Sequence, residues 1–333
     1  MKAIQFSRFG GPDVLDYVDV PSPSPQQDDI LIEVNAAGVN FPDIRERQGI
    51  YQRAETHVGG VVLPRVSGLQ ASGRVAEVGP RGDRNLIGKK VVALLPLGGG
   101  YAQFATAPAT MTIVLPDPAD DVLMASLPTQ GATAYLLLKA STQVRPGDSV
   151  LVHGAAGGVG SLAVQIAKIL GAGRVIATAS TDEKRAFTRS VGADIAVDYT
   201  KPDWPKAVLE YTGGRGVDII LESIGGEVFE QNFDCLATFG RYLLLGSTRG
   251  PGKAFEPRRL MSKSQTMTGF YLPVFFERPD LIHEALAFLV AHALDGTLRP
   301  NVATVLPLSR TAEAHRQLEE RRAVGVVVLD PQA

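Results

Sequence analysis

The residues with the clearest chemical purpose lie between Leu151 and Leu170, in LVHGAAGGVGSLAVQIAKIL. A dinucleotide pyrophosphate is held by a strand, a turn without obstructing side chains, and a helix whose first amides face the phosphates. SVLVHG (Ser149 to Gly154) has the make-up of a short buried strand, and GVGSLAVQIAKIL that of a helix. On that helix Val159, Leu162, Ala163, Ile166 and Leu170 share one stripe, and Gly171 marks its stop. Gly157 and Gly158 allow close approach of the backbone to a ligand, and Gly160 allows tight packing of helix on strand. Ala155 stands where the commonest form of the motif has its first glycine. The glycine pattern alone is weak; its place between a strand and a helix makes it specific.

The next strand, RVIATAS (Arg174 to Ser180), distinguishes between the two nicotinamide coenzymes. A site for NAD places Asp or Glu about 20 residues after the turn, to bond the ribose hydroxyls, and that charge repels a 2′-phosphate. Here the position is Ala179. Ser180 and Thr181 offer hydroxyl donors, Lys184 brings a positive charge one helical turn along, and Arg185 is a second candidate. The acidic pair Asp182 and Glu183 counts against them. A missing acid beside Ser and Lys favours NADPH.

The elements that position these residues follow from the patterning. Strands DIAVDY, VDIILES and GRYLLLGS succeed RVIATAS with helical or loop segments between, so strand and helix alternate to about Gly246. That alternation is the signature of a doubly wound parallel α/β sheet. The first third differs: Ile30 to Val39, Ala71 to Gly79 and Lys89 to Leu94 are β-branched runs bounded by glycine and proline, which predicts a mainly β unit. The tail reads as a helix over LIHEALAFLVAHAL, a strand at VATVLPL, a helix around Thr311 to Arg321 and a last strand, VGVVVLD, returning to the first unit's sheet.

A chain of 333 residues suits two domains. Its 45% hydrophobic and 20% charged residues are those of a globular protein, and a net charge of −2 gives no general attraction for nucleic acid or anionic membrane. The single cysteine, Cys235, excludes an internal disulfide and a multi-cysteine metal site. No apolar run approaches the roughly 20 residues that cross a bilayer, and the N-terminus lacks a signal-peptide core. A soluble, cytoplasmic protein is the expectation.

Taken in order, MKAIQFSRFGGPDVL, AAGVNFPD, GIY (Gly49 to Tyr51), GGGYAQFA, GATAYLLL, VRPGDSVLVHGAAGGVGSLAVQIAKILGA and GVVVLDP resemble the quinone oxidoreductase and zeta-crystallin branch of the medium-chain dehydrogenase/reductase superfamily. The resemblance implies a Rossmann cofactor domain over 125–268, inserted into a discontinuous, GroES-like catalytic domain made of 1–124 and 269–333, with the active site in the cleft. It implies a homodimer and an NADPH-dependent reductase of a small quinone. Carried over residue by residue, Asn40 and Thr133 fall near the nicotinamide, and Gly157, Gly158 and Val159 on the pyrophosphate. Ser180, Lys184 and Tyr199 fall around the 2′-phosphate, Ser223, Gly246, Ser247 and Phe270 along the remaining groove, and Tyr51 beside the substrate. Zinc-dependent relatives carry Cys and Gly-His-Glu where this chain has Asn40 and Gly68-Leu69-Gln70, so no metal is expected. Two departures bear on the substrate: Arg45 replaces a tyrosine common in relatives, and Gln70 replaces the usual glutamate.

Hydride transfer asks mainly for placement, with a hydrogen bond to the developing oxyanion from Asn40 or Tyr51 as the catalytic contribution. A packed aromatic is the alternative reading of Tyr51, and a turn-capping side chain that of Asn40. Asp43 is read as a structural hydrogen-bonding residue. An NADPH-dependent enone, alkenal or enoyl-thioester reductase is the nearest alternative activity. A coenzyme-binding crystallin-like or RNA-binding protein is the alternative from another class, although the charge balance gives no support for nucleic acid as a partner.

Overall fold

The computed structural model describes residues 1–52, 61–252 and 254–333. The chain divides into two compact units, one of residues 1–132, 273–296 and 300–333, the other of 133–272 and 297–299. Both seams lie a few residues beyond those expected at 124/125 and 268/269. A helix over Pro128–Leu136 runs through the first, and the second unit's sheet keeps the chain through Gly269.

In the first unit β1 (Lys2–Phe6) and β2 (Asp16–Asp19) are antiparallel. The long strand β3 (Ile30–Val39) leads into α1 (Phe41–Arg47). β4 (Arg65–Val66) joins β1, and β5 (Gln70–Val78), β6 (Lys90–Leu94), β7 (Phe104–Ala107) and β8 (Thr112–Val114) follow, then α2 (Asp121–Ala125) and α3 (Pro128–Leu136). Nearly all of β3 is buried, with only Glu33 exposed, because it is covered on both faces and paired on both edges. Its first half pairs with β7, while its last residues wait for a strand from the chain's end. Ile30, Ile32, Val34, Val75, Val91 and Leu329 are among the side chains that fill this core.

The second unit holds β9 (Ser149–Val152), α4 (Gly158–Ile169), β10 (Arg174–Thr178), α5 (Asp182–Ser190), β11 (Ile195–Val197), α6 (Trp204–Tyr211), β12 (Val217–Glu222), α7 (Glu227–Cys235), β13 (Leu236–Leu244) and β14 (Thr266–Gly269). Its six strands are all parallel, in the order β11-β10-β9-β12-β13-β14. A sheet sandwiched between helices buries both faces, which is why SVLV is buried at every position instead of alternating. The chain then returns through α8 (Pro279–Leu294), β15 (Val302–Pro307) and α9 (Thr311–Glu319) to β16 (Val326–Asp330), which pairs with Ala37 to Val39 of β3. The last strand therefore completes the first unit's sheet, as its sequence suggested. Among the described residues no helix is long and apolar enough to cross a membrane.

At the N-terminal edge of the parallel sheet, Asp218 ties β12 to β9. Its Oδ2 accepts from Ser149 N at 2.8 Å and from Ser149 Oγ at 2.7 Å, and Arg215 pairs with it at 2.7 Å. Partial burial pushes the carboxyl up, but the Arg215 and Ser149 donors outweigh it and hold the group at about 2. A depressed carboxylate stabilises the fold above its unfolded value of roughly 4, and that contribution is lost as pH falls toward the folded value. Asp218→Asn is expected to lower the melting temperature at pH 7 and to flatten its dependence between pH 4 and 2. An unchanged acid limb in the variant would contradict this assignment.

Candidate functional site

In a doubly wound sheet, ligands bind outside the carboxyl ends of the strands, where the strand order reverses. Here the reversal lies between β9 and β12. Because all six strands are parallel, the segments leaving them share one edge. Gly157 to Val159 follow β9, Ser180 follows β10, Tyr199 follows β11, Ser223 follows β12, Gly246 and Ser247 follow β13, and Phe270 follows β14. The sheet thus gathers nine of the expected cofactor residues along one margin, with Lys184 a turn into α5 beside Ser180. Thr133 lies elsewhere, buried on α3.

The turn after β9 is built for close approach. Gly154 has φ +59°, a left-handed conformation that costs a glycine nothing. A Cβ on Gly160 would sit 2.4 Å from Gly154 O and 2.6 Å from Ala155 Cα, so only glycine lets α4 seat against the turn. A Cβ on Gly157 meets nothing nearer than Gly154 O at 3.4 Å, and Gly157, Gly158 and Val159 are all partly exposed at the start of a twelve-residue helix. Helix amides open to solvent beside small residues fit a pyrophosphate.

The neighbouring loops are held against this turn. Ser223 Oγ donates to His153 O at 3.4 Å, and Thr248 N donates to Ser223 O at 3.1 Å. Beneath them Glu222 is fully buried, with Ile224 N at 2.5 Å and Gly225 N at 2.7 Å on one oxygen and Asn232 on the other. Asn232 Oδ1 also accepts from His153 Nε2, 2.7 Å away, and His153 Nδ1 accepts from Thr178 Oγ1 at 2.8 Å. This buried network joins the ends of β9, β10 and β12 through groups fully satisfied by hydrogen bonds, which makes the loop margin rigid.

At the end of β10, Ala179 is buried and carries no charge, while Ser180 and Lys184 are partly exposed. Thr181 caps α5 by accepting from Lys184 N at 3.2 Å. Arg185, the second cation expected here, is already committed. Its guanidinium donates to Ala179 O at 3.2 Å and pairs with Asp182 at 2.5 Å and Asp198 at 3.2 Å. The residue that sequence reasoning missed is Arg249, exposed in the loop after β13, with its guanidinium carbon 5.1 Å from the centre of the Tyr199 ring. The sign that could have found it is the absence of an acid after β10, which asks for cations from neighbouring loops.

In the first unit Asn40 is 2% exposed and stands at the junction of β3 and α1. Its Nδ2 donates to Gly38 O and to Asp43 Oδ2, each at 3.2 Å. Its N–H donates to Asp43 Oδ2 at 2.8 Å, which ties the junction to the first turn of α1. Tyr51 is half-buried in the short turn Ile50–Gln52 that follows α1.

Comparison with known proteins agrees with this two-unit plan. The model of the alcohol dehydrogenase GroES-like domain matches residues 26–117, and that of the zinc-binding dehydrogenases matches 158–291. A 2-haloacrylate reductase from Burkholderia sp is 36% identical, covering 97% of either chain. The quinone oxidoreductase of Sus scrofa is 33% identical over 99% of this chain and 97% of its own. The chain belongs to the quinone oxidoreductase branch of the medium-chain dehydrogenase/reductase superfamily. A quinone oxidoreductase of Escherichia coli, solved in complex with NADPH, superposes with a TM-score of 0.90 at 30% identity, covering 99% of this chain and 100% of that one.

Within this oxidoreductase family, the chain's two departures now have surroundings. Gln70 is fully buried; its Oε1 accepts from Thr129 N at 2.6 Å and its Nε2 donates to Gln130 Oε1 at 3.0 Å. Both ends of the amide are spent on fixing the start of α3. Arg45 lies with its guanidinium carbon 5.0 Å from the Phe41 ring centre, partly exposed and without an ion pair among the described residues. Among the described residues, no group of three or more His, Cys, Asp or Glu side chains is arranged to hold a metal.

Proposed function

We propose that this oxidoreductase uses NADPH to reduce a small conjugated carbonyl compound, with quinones as the substrate class. The observation that carries the coenzyme preference is the end of β10, where Ala179 stands in place of an acid, with Ser180 and Lys184 just beyond it. The first amides of α4, at Gly158, Val159 and Gly160, hold the pyrophosphate, and Ser180 and Lys184 bond the 2′-phosphate. Tyr199 and Arg249 offer a stacked face for the adenine end, and Ser223, Gly246, Ser247 and Phe270 line the rest of the groove, with Thr133 toward the nicotinamide. When bound, NADPH supplies a hydride to the electrophilic carbon of the substrate. Tyr51 then donates a hydrogen bond to the oxygen on which negative charge develops.

A second reading is favoured by one comparison. The substrate named for the Burkholderia relative is an alkenoic acid, so reduction of a carbon–carbon double bond conjugated to a carboxylate is the alternative, and Arg45, without an ion pair among the described residues, is the cation suited to it. Steady-state turnover on 1,4-benzoquinone, 9,10-phenanthrenequinone, an enone and 2-chloroacrylate separates the two. A quinone preference of at least about tenfold in kcat/KM, equivalent to 1.4 kcal/mol, supports the first reading. Turnover confined to the acrylate supports the second. On the preferred substrate Tyr51→Phe is expected to lower kcat by roughly a hundred- to a thousandfold, the usual loss on removing an oxyanion donor. Unchanged turnover would remove the hydroxyl from the mechanism.

A further inference from the structure

The end of β10 carries no acid of its own, but the fold brings acids to it from two neighbouring elements. Ala179 N donates to Val197 O at 3.1 Å, so the last residue of β11 abuts the position that is neutral here. Asp198 is the next residue along the chain, and Asp182 opens α5. An acid at this margin bonds the ribose hydroxyls of NAD and repels a 2′-phosphate. Asp198 is such an acid, supplied by the wrong strand.

One guanidinium meets both carboxylates. Arg185 Nη1 donates to Ala179 O at 3.2 Å and lies 3.2 Å from Asp198 Oδ2, while Nη2 pairs with Asp182 Oδ1 at 2.5 Å. It thereby joins the end of β10, the first turn of α5 and the end of β11. The two acids differ in setting. The Asp182 side chain stands fully in water, where its charge is screened, but that of Asp198 is 17% exposed and that of Arg185 14%. Asp198 Oδ1 accepts from Thr200 N at 3.0 Å and from Thr200 Oγ1 at 2.6 Å, which leaves Oδ2 to Arg185. Burial raises the Asp198 carboxyl, but the Thr200 bonds, Arg185 and Lys201 outweigh it and hold the group below the usual carboxylate range. Its negative charge is therefore present at neutral pH.

We propose that Arg185 sets coenzyme specificity without binding the phosphate, as a positioning residue that keeps Asp198 for its own counter-ion, so that no free carboxylate faces the adenosine ribose. This rests on the coenzyme reading above. A tether that only fastened α5 to β11 would act on both coenzymes alike, because the ribose and adenine they share would be disturbed equally. An unmet carboxylate acts on them in opposite directions, repelling a 2′-phosphate and accepting from a 2′-hydroxyl. The ratio of the two affinities separates the roles.

Kd for NADPH and NADH is measured by isothermal titration at fixed low salt for the unmodified protein, Arg185→Gln, Arg185→Lys and the double variant Arg185→Gln/Asp198→Asn, with circular dichroism to verify folding. Arg185→Gln is expected to weaken NADPH about tenfold, the effect of one uncompensated charge near a phosphate, while NADH binds as well or better. Arg185→Lys keeps the charge, and its ratio of affinities is expected within about threefold of the unmodified one. The double variant has neither charge and is expected to regain most of the preference for NADPH. It decides the matter even where Arg185→Gln alone does not fold. A double variant that stays about tenfold weaker for NADPH alone would make Arg185 a phosphate ligand and overturn the proposal. Equal losses for both coenzymes in a folded Arg185→Gln, or no loss for either, overturn it as well. An unmodified protein without preference for NADPH overturns the coenzyme reading instead.

Discussion

Gly160→Ala is expected to weaken NADPH binding at least tenfold and to destabilise the protein by roughly 1–3 kcal/mol, the usual cost of forcing a methyl group into a packed contact. The added carbon would stand 2.4 Å from Gly154 O and 2.6 Å from Ala155 Cα, both main-chain atoms that no rotamer change can move aside. Relief requires α4 to back away from the turn that follows β9. In the proposed coenzyme site the helix amides and the turn are the two halves of the phosphate cradle, so separating them is expected to damage binding beyond the loss of stability. Gly157→Ala is the matched control. Its Cβ meets only Gly154 O, at 3.4 Å, and its backbone, φ −84° and ψ 176°, suits any residue. That variant should unfold close to the unmodified protein in denaturant. Equal destabilisation by the two substitutions would mean that the helix–turn contact is not what Gly160 serves.

Lys184→Ala is expected to raise the Kd for NADPH by roughly ten- to a hundredfold while leaving that for NADH almost unchanged. A charge-assisted hydrogen bond to phosphate contributes about 1.5–3 kcal/mol, and NADH has no 2′-phosphate to receive it. Lys184 is partly exposed one turn into α5, and Arg185 is held by Asp182 and Asp198. Arg249, over Tyr199, supplies a residual attraction that keeps the loss toward the lower end of the range. Isothermal titration at fixed ionic strength measures both coenzymes, since surface phosphate contacts weaken with salt. Equal losses for NADPH and NADH would place Lys184 away from the 2′-phosphate.

The sheet and its helices were legible because each followed from local composition. Ile30 to Val39 begins and ends as read, since its β-branched run is cut off by Asn40 and Pro42. The turn from Gly154 to Gly160 was legible for the same reason: Gly154 takes a left-handed φ and Gly160 leaves no room for a Cβ. β13 begins earlier than GRYLLLGS suggested, at Leu236, because Gly240 reads as a breaker although the strand passes through it. The side-chain chemistry of the site was less legible, since it depends on residues that meet only in the folded chain. Nothing near Arg185 in sequence announces Asp198 as its partner, and nothing near Tyr199 announces Arg249. The same holds for Asn40. Its motif marks the position, but only the folded chain shows that Asp43 Oδ2 gathers both Asn40 and the distant Tyr101.

All of this depends on backbone amides at the head of α4 receiving a phosphorylated nicotinamide coenzyme beside a strand end stripped of its acid. Titration of the purified protein with NADPH and NADH, side by side at neutral pH and fixed salt, tests that most directly. Saturable binding of NADPH, tighter than that of NADH by about tenfold or more, is the expected result. Absence of affinity for either coenzyme, or a preference for NADH, would contradict it.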